Sequence, residues 1–364
     1  MLQFVHRCST AVTAIGVSTT DGSRSLLMPH CPVGVREALR KRACMVRLAH
    51  TEVCIRRCMD VGCGHLRGRG KVTSRPNNGY TVSAVEAPPP SEAAGSTRGA
   101  LGLSLVYSPP DPKIDIIMVH GLAGDSRKTW SKGHSPSSFW PLWLTKEPAI
   151  MGRGVRISTF GYDSRYLKGS SGTDCMGIHQ FGMSLLTEIA TSPYIRGAGT
   201  RIITIGHSMG GLVAKRAFIG AVRDPEHRDI ARRFASMYFL ATPHRGADSA
   251  RLLGILLRAV ALDKAYVGDL ERNSAAVRTI NDDFFWLSSR LDIRSFYETE
   301  IMSHFRSLIV DKSSAIMDLV NEFEAPMSAD HRSICKFAST HDNNYRILRN
   351  SLVATLENLM PMRP

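Results

Sequence analysis

Nucleotide-binding signatures are missing from this 364-residue chain. Neither G-x-x-x-x-G-K-[ST] nor G-x-G-x-x-G occurs, so the glycine-rich phosphate cradles of nucleotide-dependent enzymes have no counterpart here. No stretch of eighteen apolar residues exists, and no transmembrane helix is expected. The absence of any N-x-[ST] sequon disfavours a secreted glycoprotein. Cysteine is scarce beyond residue 63: only Cys175 and Cys335 follow the six at Cys8, Cys31, Cys44, Cys54, Cys58 and Cys63. The run Cys54-x3-Cys58-x4-Cys63-x-His65 lacks the paired close spacings of common zinc modules, so neither a metal nor another cofactor is expected.

Acidic residues are few at the start. Residues 1–75 hold thirteen Lys and Arg against Asp21, Glu37, Glu52 and Asp60, which concentrates most of the +14 net charge there. Residues 1–100 show no sustained hydrophobic period and end in Ala87-Pro-Pro-Pro-Ser91. They read as a basic, cysteine-rich, poorly ordered leader with a Pro-rich linker. The first two dozen residues resemble a mitochondrial transit segment, with a plain basic leader as the alternative; an intracellular protein, mitochondrial or cytoplasmic, is expected. Bare charge is a weak signal for nucleic acid, and no nucleic-acid partner is expected.

The globular part, residues 101–364, alternates short apolar runs with helical stretches. Leu101–Tyr107, Ile114–Val119, Val155–Phe160, Ile202–Ile205, Ser236–Leu240, Ile293–Tyr297 and Leu308–Val310 read as strands. A helix is expected over about Cys175–Thr191. This pattern predicts a mostly parallel central sheet flanked by helices, an α/β domain. An insert over about 247–291 reads as helical. In it Leu252, Leu253, Ile255, Leu256 and Leu257 crowd one segment, either ordinary core or a cap touching lipid at a membrane surface.

The chemistry centres on Gly206-His-Ser208-Met-Gly210. Arg201–Ile205 before it is a buried strand, and Leu212, Val213, Ala217 and Phe218 after it keep helical spacing around Lys215 and Arg216. A serine in G-x-S-x-G at such a strand-to-helix turn is held on a tight elbow. Serine is a poor nucleophile alone: it needs a base, an acid to orient that base, and donors for an oxyanion. Candidates follow in the order serine, acid, histidine. Glu298 stands at the end of the Ile293–Tyr297 strand, and Asp311, after Leu308–Val310, is the rival acid. His331 in Ala329-Asp-His-Arg is the base. The backbone N–H groups of Leu122, in His120-Gly-Leu122, and of Met209 are the oxyanion donors. His120, His207 and His244 are assigned supporting roles.

The stretches "DIIMVHGLAGDSRKTW", "FGYDS", "GHSMGGLVAKRA", "FLATPHRGAD" and "ADHRSICKF" together resemble the lipase-like serine esterase domain found in many fungal proteins. That domain is similar to the one in serine active-site-containing proteins and, more distantly, to GPI inositol-deacylases. The resemblance covers about residues 101–360. It implies an α/β-hydrolase fold and carries the nucleophile to Ser208, the base to His331 and the acid to Glu298. The expected function is cleavage of a carboxylic ester, of a lipid by this resemblance, through an acyl-enzyme. The alternative is an interaction or signalling module of the same fold with weak or no catalysis.

Overall fold

The computed structural model describes residues 99–164, 177–197, 199–244 and 267–361. Residues 1–98 of the leader, with the Cys54–His65 run, and Leu252–Leu257 lie outside the described residues. Seven strands form one sheet: β1 (Gly102–Tyr107), β2 (Ile114–Val119), β3 (Val155–Gly161), β4 (Arg201–His207), β5 (Phe234–Leu240), β6 (Asp292–Glu298) and β7 (Glu322–Met327). Among the described residues six α-helices accompany them: α1 (Ile178–Thr191), α2 (Met209–Arg223), α3 (Arg228–Arg233), α4 (Val267–Leu287), α5 (Lys312–Ala315) and α6 (Asn343–Leu359). The strand order is β1-β3-β2-β4-β5-β6-β7. Only β1 runs antiparallel to its neighbour; every other pair is parallel.

Strand β2 shows why the sequence folds this way. All six of its residues are buried, as expected of a strand covered on both faces. Its side chains alternate: Ile117 and Val119 join a core with α1, α2 and α4, while Ile114, Ile116 and Met118 join a second core with α6 and Trp140. The result is three layers, with the sheet in the middle.

The described part of the expected helical insert is α4. It places Val277, Ile280 and Phe284 in the core beside α2, at helical intervals. Two expectations are corrected. Leu308–Val310 is not a strand: Ile309 and Val310 enter the core from a loop, and its backbone serves another purpose described below. The last strand is Glu322–Met327. It lies at the sheet edge, where Glu322, Glu324 and Pro326 are tolerated because one side of the backbone has no ladder to complete. Lys215 is the other correction: it is fully buried instead of lining a polar helix face.

The end of the sheet remote from the β4 elbow is pinned by charge. Asp115, directly opposite Arg156 across the β2–β3 pair, is buried. Its carboxylate binds Arg156 Nε at 2.6 Å and Arg233 Nη2 at 3.0 Å, and accepts the Thr200 hydroxyl. Asp115→Ala would leave two largely buried guanidiniums without their carboxylate. It should cost about 3–5 kcal/mol by chemical denaturation, the range for breaking a buried pair from one side. A loss below about 1 kcal/mol, the value of an exposed pair, would show that the network adds little.

Candidate active site

Ser208 sits between β4 and α2 with φ 53° and ψ −125°. A non-glycine residue adopts this region only when its surroundings impose it. Three constraints do so here. The Ser208 N–H donates to Leu240 O at 2.9 Å, holding the turn against β5. A Cβ at Gly206 would meet Gly211 Cα at 2.5 Å, and one at Gly210 would collide with the Val119 and His120 carbonyls. The two glycines thus let α2 start directly against the ends of β4 and β2. Met209 is the first residue of α2, so its N–H has no acceptor within the helix.

Beside it lies the turn after β2. Ala123 has φ 53°, and its N–H donates to Ser164 Oγ at 2.8 Å. His120 stacks on Tyr162 with ring centroids 4.3 Å apart. Tyr162 N–H donates to His120 Nε2 at 3.1 Å, and the Tyr162 hydroxyl donates to the His120 carbonyl at 2.7 Å. With Nε2 accepting, Nδ1 carries the proton and donates to Gly121 O at 2.8 Å. The "FGYDS" segment at the end of β3 therefore holds the Leu122 turn. The sequence motifs alone give Tyr162 and Ser164 no role; their place just beyond a strand adjoining β2 is the available signal.

The loop after β7 brings His331 to Ser208. His331 Nε2 lies 3.0 Å from Ser208 Oγ, and both residues are buried. Behind the imidazole is Glu298, at the end of β6 and 1% exposed. Its Oε1 accepts the Val310 N–H, and its Oε2 lies 3.7 Å from His331 Nδ1. That gap is too long for a hydrogen bond. Among the described residues neither Oε2 nor Nδ1 has another hydrogen-bond partner. A shift of under about 1 Å would join them, and such bonds are often long in unliganded sites. Asp311 is placed differently. It is exposed and caps α5, accepting the Ser314 N–H and the Ser313 hydroxyl, each at 2.8 Å.

Neighbouring groups support this line. Asp330 shapes the histidine loop by accepting the Arg332 and Ser333 N–H groups at 3.0 and 2.8 Å. Partial burial works against its charge, but the Ser333 and Arg332 hydrogen bonds prevail and its carboxyl titrates below the usual range. His207 Nε2–H donates to the His331 carbonyl at 2.8 Å. Burial, and then the adjacent His331, push the His207 imidazole down to about 3, so it stays neutral. Burial pushes the Cys335 thiol up to about 12, leaving no thiolate to compete with Ser208.

A cleft of about 340 Å³ opens onto Ser208, His207, His331 and Leu122, with Lys128, Arg332 and Lys336 along its wall. Hollows of 370 and 350 Å³ lie elsewhere, so size does not single this one out; its side chains do. Ser208, His331 and Glu298 come from the ends of β4, β7 and β6, and Leu122 from the end of β2. Ligands of open α/β sheets bind at these carboxyl ends.

Residues 113–267 match the family described as "Putative serine esterase (DUF676)". Over these residues, under half of the chain, the sequence is similar to that family, and the mostly parallel sheet flanked by helices is an α/β architecture. Protein SERAC1 of Bos taurus is 27% identical over 274 residues, covering 68% of this chain and 40% of that protein. The Danio rerio SERAC1 is 25% identical over 245 residues, 62% of this chain and 36% of that one. The chain thus spans about 40% of the length of the curated relatives it matches. Among solved structures, α/β-hydrolase domain-containing protein 10 from mouse aligns with TM-score 0.41 at 13% identity, covering 73% of this chain and 98% of that one. A lipase-esterase related protein from Clostridium acetobutylicum aligns with TM-score 0.40 at 12% identity, covering 71% and 99%. No helix among the described residues is long and apolar enough to cross a membrane.

The neutral His207 makes the fold acid-sensitive. Its folded pKa lies below the unfolded value near 6.5, so unfolding takes up a proton between those two values. The stability from this group is complete above about pH 6.5 and is lost as pH falls toward 3. His207→Gln should therefore narrow the difference in denaturation midpoint between pH 7 and pH 4. One ring edge meets the cleft, which keeps the effect below that of a fully enclosed imidazole. An unchanged difference would remove His207 from the acid response.

Proposed function

We propose that this protein is a serine hydrolase that cleaves a carboxylic ester, by its lipase-like resemblance that of a lipid. The observation that carries the proposal is the 3.0 Å approach of His331 Nε2 to Ser208 Oγ on a left-handed elbow, with a buried carboxylate behind the imidazole.

In this reading the substrate carbonyl carbon lies over Ser208 in the cleft. As Oγ attacks, its proton moves to His331 Nε2 and the carbonyl oxygen becomes an oxyanion. The Leu122 and Met209 N–H groups point to that oxygen, with the start of α2 adding its partial positive charge. The imidazolium would then carry charge in a buried site, and Glu298 offsets it while remaining ionised. Collapse of the tetrahedral species breaks the bond to the alcohol, which takes the proton from His331 and leaves. Water repeats the cycle on the acyl-enzyme: it gives a proton to His331, the acid is released and Ser208 Oγ regains its hydrogen. Glu298 acts as the orienting acid because it is buried and faces Nδ1, whereas the Asp311 carboxylate serves as a helix cap.

Hydrolysis of p-nitrophenyl butyrate by three variants tests these roles. Ser208→Ala should fall to background with the denaturation midpoint retained. Glu298→Gln should lower kcat by about 10³–10⁴-fold, as expected when the histidine loses its orienting charge. Asp311→Asn should stay within a few-fold of the parent, since Asn also caps helices well. Full activity of Ser208→Ala would end the serine-hydrolase reading; a larger loss for Asp311→Asn than for Glu298→Gln would move the acid to Asp311.

A further inference from the structure

Lys215 is buried two turns into α2 from Ser208 and takes no part in the mechanism above. Its Nζ lies 2.7 Å from His244 Nδ1, 2.8 Å from Asn281 Oδ1 and 3.3 Å from Met317 Sδ. Among the described residues these three groups surround the nitrogen, and each can accept one of its protons. The same nitrogen stands 4.6 Å from the Phe284 ring centroid and 5.1 Å from that of Phe239. Burial drives its pKa well below the ordinary value, with Glu322 pulling the other way. Among the described residues no carboxylate touches it. Burying this group is expensive, and a leucine or methionine would fill the space at less cost.

The three acceptors belong to different segments. His244 lies in the loop after β5, Asn281 on α4, and Met317 between α5 and β7. His244 also donates its backbone N–H to Ser314 O on α5, at 2.7 Å. Met317 donates its own N–H to the Glu322 carboxylate, at 2.9 Å to Oε2. Lys215 thus reaches the 310–317 segment twice, once directly through Met317 and once through His244 and Ser314. That segment begins with Val310, whose N–H holds the Glu298 carboxylate. The helix that follows the serine is therefore tied to the loop that sets the acid.

We infer that Lys215 is a positioning residue: it fixes the 310–317 loop to α2, so that Val310 holds Glu298 in line with His331 and Ser208. This rests on the serine-hydrolase reading and adds to it a residue outside the triad and the oxyanion turn. A lysine with only a structural part would lower stability without acting through Glu298.

The test is a double-mutant cycle in the full chain, with p-nitrophenyl butyrate as substrate. Lys215→Met keeps a similar apolar length between the two Phe rings and removes the donors. It should lower kcat by about tenfold or more with KM within about twofold, the pattern of a lost transition-state alignment. In the Glu298→Gln background the same change should alter kcat by less than about threefold, because residues acting as a unit are not additive. Met317→Leu, close to volume-conserving, removes one acceptor and should reduce kcat by about two- to fivefold at unchanged KM. A folded Lys215→Met with parental kcat, or effects that multiply in the double mutant, would overturn the inference. If Lys215→Met does not fold, parental kcat in Met317→Leu overturns it instead. Parental activity in Ser208→Ala would be a different failure, that of the hydrolase reading, and would be seen before the cycle is begun.

Discussion

The site depends on one backbone conformation, the left-handed turn at Ser208. A serine there costs on the order of 1–3 kcal/mol, which the neighbouring elements must supply. They do so by close approach. Strand β5 accepts the Ser208 N–H, Gly206 and Gly210 admit backbone where a side chain would clash, and α2 is buried along nearly its whole length. The same turn exposes the first N–H of α2 and brings the Leu122 turn alongside. Relaxing it would disturb Ser208 and both proposed oxyanion donors together.

The second constraint is electrostatic. A carboxylate as buried as Glu298 must be offset by hydrogen bonds or a cation. It has the Val310 N–H on one oxygen, and its other oxygen faces His331 across 3.7 Å. An imidazolium formed at His331 would meet the second need. The buried charge is thus better matched with the histidine protonated, the state that the proposed ester attack would create. Lys215 and the 310–317 loop belong to the same arrangement, because the carboxylate can be no better placed than the backbone that holds it.

Much of this was legible in the sequence, for physical reasons that differ by element. β2, β4 and β5 announce themselves as short apolar runs because both of their faces are covered. The elbow announces itself because close approach demands glycine on both sides of the serine. β7 did not, since an edge strand tolerates Glu322, Glu324 and Pro326 and so looks like a loop. Leu308–Val310 misled in the opposite sense: apolar side chains mark burial, and a buried loop satisfies that as well as a strand. The Val310 contact with Glu298 runs through a backbone N–H, which no residue type signals. Lys215 resembles a solvated helix position until α4 and the loop before β7 close over it, and those contacts lie 66 and 102 residues away in the chain.

If Ser208 is an activated nucleophile, it should react with an electrophile that no ordinary serine attacks. The most direct measurement is peptide mapping by mass spectrometry after the full chain reacts with a fluorophosphonate. A single covalent adduct is expected, on the peptide containing Gly206–Gly210 and on Ser208 within it. An adduct confined to another residue, or none on a folded protein, would contradict that role for Ser208.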